Sequence, residues 1–133
     1  MTARRFVAAL VAGAALIACG GGDGPTAPEP GTLEVRLTTP NADDRAMLVT
    51  VTGPEPIQAV SGAVGSALVL HGRVSGSQAT IAVFGPVTSG VLARVAVPDV
   101  GRVGAYTVTI VEVADDANQL RASLGGYSLT IVR

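Results

Sequence analysis

Few side chains in this sequence can do chemistry, and each kind is scarce. There is one thiol, Cys19, and one imidazole, His71. Acids pair twice: Asp43-Asp44, with Asn41 just before, and Asp115-Asp116, with Asn118 just after. A thiolate is a strong nucleophile, so Cys19 is a natural point of covalent modification. A single cysteine excludes an intramolecular disulfide. It also excludes zinc sites of four cysteines, or of two cysteines and two histidines. His71 could serve a hydrolase only beside a nucleophile and a carboxylate. Ser75 and Ser77 follow it in a glycine-containing loop, but no Gly-x-Ser-x-Gly turn surrounds them. The simpler expectation for His71 is a polar residue at a strand end. Calcium takes about six to eight oxygens. Asp115, Asp116 and Asn118 supply three side chains, as do Asn41, Asp43 and Asp44. The first trio is a weak calcium candidate, and turn capping is the expected role of both.

Composition narrows the function further. The 133 residues carry a formal net charge of −1. That leaves no basic surface of the size nucleic acid requires. Gly62–Gly65 and Gly125-Gly126 lack the lysine and the strand-to-helix setting of a phosphate loop, so no nucleotide is expected. There is no tryptophan, and aromatic residues make up 3% of the chain. A flat stacking platform for polysaccharide is therefore poorly supplied. The same scarcity argues against paired carboxylates acting on a glycoside. No metal or other cofactor is called for.

The segment that carries Cys19 explains it best. Arg4 and Arg5 precede an uncharged, mostly apolar run from Phe6 to Ala18. This is the layout of a signal peptide, expected to be helical. The run of 13 residues falls short of the roughly 20 that span a bilayer. The Arg-Arg-Phe spacing departs from a twin-arginine signal, which favours the general secretory route. The run closes on Leu16-Ile17-Ala18-Cys19, which resembles the lipobox of bacterial lipoproteins. The resemblance implies cleavage between Ala18 and Cys19, with diacylglycerol on the Cys19 sulfur and acylation, such as palmitate, of the new amino terminus. One chain of about 0.8 kcal/mol per buried CH₂ anchors marginally, whereas two or three anchor firmly. After cleavage seven arginines face ten acids, a net of −3, and there is no lysine.

Cys19–Gly31 then reads as a lipidated residue and a disordered tether. Gly20–Gly31 contains no large aliphatic or aromatic side chain, so it cannot bury enough surface to offset its ordering entropy. Its glycines confer flexibility and Pro25, Pro28 and Pro30 stiffness. Twelve residues reach at most about 40 Å. Gly20, not Asp, follows the cysteine, which by analogy with the lipoprotein family points to the outer membrane if the cell is Gram-negative.

From residue 32 to 133 the pattern is strand after strand. Leu33, Val35 and Leu37 alternate with polar residues, and Met47, Val49 and Val51 follow the same period of two. Further strands are expected at Ile57–Val60, Ala67–His71, Gln78–Phe84, Val91–Val97, Ala105–Val113 and Tyr127–Val132, separated by Gly, Pro and Asp. Asp115–Leu124 is the one expected helical turn, stopped by Gly125-Gly126. About eight or nine strands in roughly 100 residues indicate an all-β, antiparallel sandwich, jelly-roll-like or immunoglobulin-like.

Three segments resemble the cohesin and carbohydrate-binding-like sandwich superfamily: Met47–Val60, Ala79–Gly85 and Ser89–Val95, within a stretch covering Leu33–Val113. The resemblance implies a non-catalytic module. Cohesins bind dockerins, and cohesin-like modules also occur in cell-surface proteins without cellulosomes. A single tethered module fits the second setting, with an envelope protein or glycan as partner. The competing expectation is a small secreted hydrolase using His71 and the loop carboxylates.

Overall fold

A computed structural model describes residue 24 and residues 26–133. The expected signal segment, with Ala18 and Cys19, and residues 20–23 and 25 of the expected tether lie outside the described residues. Eight strands follow one another: β1 (Gly31–Thr38), β2 (Asp44–Thr52), β3 (Ala59–Ser61), β4 (Val69–Ser75), β5 (Gln78–Phe84), β6 (Gly90–Val97), β7 (Thr107–Asp115) and β8 (Ser128–Val132). They form two four-stranded antiparallel sheets. The first has the order β3-β6-β1-β8 and the second β4-β5-β2-β7. β1 pairs with β8, β2 with β7, β3 with β6 and β4 with β5. This is the pairing of one long hairpin rolled up on itself, as in a jelly roll.

Alternation builds the core. Leu33, Val35 and Leu37 of β1 face Met47, Val49 and Val51 of β2 across the sandwich, joined by Ile81 and Val83 of β5 and Val95 and Val97 of β6. All are buried. β-Branched residues dominate because they suit the pleated surface and interdigitate between stacked sheets. A bulge at Val35/Arg36 lets two consecutive residues of β6, Leu92 and Ala93, be buried.

The expected elements need local corrections, among them that the strand expected at Ala105–Val113 is β7, Thr107–Asp115. Ile57 is buried but lies in a loop, and β3 is only three residues long. β4 starts at Val69 and runs on past Gly72 to Ser75. It meets β5 through a two-residue turn in which Gly76 has φ 57°. Such a turn calls for positive φ, which glycine adopts at no steric cost. Asp115–Leu124 forms a turn and a bridge between Ala114 and Leu120, not a helix. The helical turn is instead a 3₁₀ segment at Val100–Ala105, capped by Asp99, whose carboxylate accepts the Gly101 N–H at 2.9 Å.

The sandwich has two distinct ends. At one, the chain enters β1. Glu29 accepts the Val100 N–H through its carbonyl at 2.8 Å, and its carboxylate pairs with Arg133 at 2.6 Å. Tyr106 is buried there, its ring packed over Gly53. At the other end lie the β1–β2, β3–β4, β5–β6 and β7–β8 loops. No helix among the described residues is long and apolar enough to cross a membrane.

Candidate functional site

The loop end is held by one buried carboxylate. Asp44 opens β2 and has no exposed surface. Burying a lone carboxylate costs several kcal/mol unless its lone pairs are satisfied, and here they are. Arg121 donates from Nε at 3.0 Å and from a terminal nitrogen at 2.9 Å to Oδ1. The Thr39 hydroxyl donates to Oδ2 at 2.7 Å. The Tyr127 hydroxyl lies 2.9 Å from both oxygens and shares its one proton between them. The Tyr127 oxygen also accepts from the Asn41 amide at 2.7 Å. The Asp44 carbonyl accepts the Val87 N–H at 3.1 Å. One residue thus ties the β1–β2, β5–β6 and β7–β8 connections together.

Arg121 also donates to Asp43 and stands 3.8 Å from Asp115. These contacts raise the Arg121 pKa above the usual range for a guanidinium, chiefly through Asp44, then Asp43. The Arg121 hydrogen bond holds the Asp43 carboxyl below its ordinary value. The calcium candidates are occupied otherwise. Asp115 Oδ1 accepts the backbone N–H groups of Ala117 and Gln119, both at 2.9 Å. Asn118 sits at φ 60° in the same turn, a conformation that asparagine tolerates better than most residues. Asp116 is exposed. No group of three His, Cys, Asp or Glu side chains suited to a metal occurs among the described residues.

His71 lies on the outer face of β4, its ring set edge-on to Phe84 with centroids 6.1 Å apart. No hydrogen bond joins it to a serine or carboxylate among the described residues. Ser75 is at the other end of the same strand.

The outer face of the β4-β5-β2-β7 sheet carries a feature the alternation alone did not flag. Its outward positions nearest the loop end are apolar. A groove of about 110 Å³ runs between Phe84 and Leu120 over Ala46, Leu48, Ala82 and Ala114. Leu120 is 64% exposed and Phe84 47%. Leu120 is placed there by the turn, through its bridge to Ala114 and the Arg121 N–H to Val113 carbonyl bond of 2.8 Å. The clue available in the sequence was that Ala46 and Leu48, out of phase with the buried Met47 and Val49, are apolar as well. By contrast, the other sheet's outer face is charged: Glu34 pairs with Arg36 at 2.8 Å and with Arg94 at 3.1 Å.

Searches of protein-family models, of curated proteins and of solved structures each returned no match to this chain. What the geometry establishes is an all-β protein, a sandwich of two antiparallel sheets.

Proposed function

We propose that the chain is a lipid-anchored cell-envelope lipoprotein whose sandwich is a non-catalytic binding or structural module related to the cohesin-like superfamily. The observation that carries the anchoring is Leu16-Ile17-Ala18-Cys19 at the close of a charged-then-apolar segment. The fold supports the reading in one respect. The tether joins at the Glu29 end, while the long loops and the apolar groove lie toward the opposite end, so an anchored domain presents them away from the membrane. The address on Gly20 favours the outer membrane in a Gram-negative cell. The partner class is an envelope protein or glycan.

The test is intact-mass and fatty-acid analysis of the protein purified from its native membrane. The expected product starts at Cys19 and carries diacylglycerol on its sulfur. Cys19→Ser should yield an uncleaved or soluble chain. A normally processed, membrane-bound Cys19→Ser protein would refute the anchor.

A further inference from the structure

We infer that the outer face of the β4-β5-β2-β7 sheet is a two-fold docking surface for a second copy of this chain. The face is read most simply as rows across the strands. Nearest the loops stand Val69, Phe84, Ala46 and Ala114, with Leu120 beyond. The next row is His71, Ala82, Leu48 and Glu112. Below them come Arg73, Thr80, Thr50 and Thr109.

Sheets stack face to face with their strands within about 30° of parallel, roughly 10 Å apart. An axis along the strands, midway between β5 and β2, sets β4 over the second copy's β7 and β5 over its β2. Each row then meets itself reversed. Phe84 falls on the second copy's Ala46, Val69 on its Ala114, and Leu48 on its Ala82. A large side chain lies over a small one at each of these three pairs, and Leu120 brackets the second copy's Val69. In the second row His71 falls on Glu112, twice by symmetry. Arg73, one row below on the same strand, supplies the positive charge of that edge. β4 therefore carries the basic edge and β7 the acidic one, which is the arrangement an isologous contact needs. Neither Glu112 nor His71 has an ion-pair or hydrogen-bond partner of its own among the described residues.

The face is small. Four strands spaced about 4.8 Å apart and some 25 Å long offer roughly 500 Å² per copy, the low end for a specific interface. The dimer is weak in solution and is favoured when both copies are confined to one surface. The inference does not depend on the lipid at Cys19: loss of anchoring leaves the face intact, and loss of pairing leaves anchoring intact.

The decisive experiment is a charge exchange. The full chain, solubilised in detergent, is followed by light scattering from about 1 to 500 µM with the detergent contribution subtracted. Wild type should pass from one chain to two. Glu112→Arg and His71→Glu should each weaken pairing at least tenfold, and the double variant should return to within about threefold of wild type. Within one copy the two residues are three strands apart, about 14 Å, so rescue cannot come from an internal pair. Phe84→Asn should abolish pairing, with circular dichroism reporting an unchanged fold. A single-chain mass at every wild-type concentration overturns the inference. So does a dimer indifferent to these substitutions, or a double variant as weak as the single ones.

Discussion

The chain's two tyrosines, Tyr106 buried and Tyr127 half-buried, show how one atom's surroundings decide a residue's worth. The Tyr127 hydroxyl completes the Asp44 carboxylate. The Tyr106 hydroxyl is buried without a protein partner, and burial together with nearby Glu55 pushes its pKa up. Tyr127→Phe should therefore cost about 1–3 kcal/mol by leaving a charged acceptor short of a donor. Tyr106→Phe should change stability by less than about 0.5 kcal/mol, since it removes an unpaired polar group. Urea denaturation of both variants measures the contrast, and equal losses would contradict it. Gly53 is the third informative residue. A Cβ there would stand 2.1 Å from the Tyr106 ring. Gly53→Ala should destabilise by roughly 1–3 kcal/mol through overpacking, seen as a lower urea midpoint at unchanged slope. Asp44→Asn should cost about 2–4 kcal/mol, because Arg121 loses the charge that compensates its own partial burial. The sequence displayed each of these residues but not its role: Asp44 lies 77 residues from Arg121 and 83 from Tyr127.

At the scale of elements, the loops are legible as punctuation but not as a bundle. Pro40, Asp43-Asp44 and Gly125-Gly126 mark turns by local conformational preference. That three connections share one carboxylate follows only from the rolled-up strand order. The same cross-link makes acid the natural probe of this end. Asp43 is held below its ordinary value of 3.8 by Arg121. Glu34 is held below 4.5 chiefly by Arg36, with Arg94 adding to it. A depressed carboxyl contributes its stability above the unfolded value, and the contribution disappears as pH falls through the folded value. The melting temperature should therefore drop as pH falls below about 4. In Arg121→Met the part due to Asp43 should vanish, leaving a flatter acid limb. An acid limb identical to wild type would show that the Arg121–Asp43 pair does not couple to folding. The misplaced helical turn has a simple cause. Asp115 can cap a helix or close a tight turn with the same side chain, and the bridge from Leu120 to Ala114 selects the turn.

The molecule as a whole is polarised: the end where the chain enters β1 stands against the loop end, and the charged outer face of one sheet against the apolar groove on the other. Under the proposed anchoring, Cys19→Ser should move the protein from the membrane to the soluble fraction or leave its signal segment attached, read by fractionation and mass. Its thermal unfolding should stay unchanged, because the buried core lies within residues 33–113. The all-β class, the strand count and the antiparallel sandwich were decided locally. Period-two alternation and β-branched residues act over a few neighbours, and a half-buried strand must show its pattern in sequence. The proposed lipobox is likewise a local reading, since the processing it implies would act on a short contiguous segment. Which strands lie side by side, why Asp44 can be buried, and how Leu120 comes to wall a groove against Phe84 depend on residues far apart in the chain. Only the closed tertiary structure sets those distances, because burial and pairing energies arise when the two sheets meet.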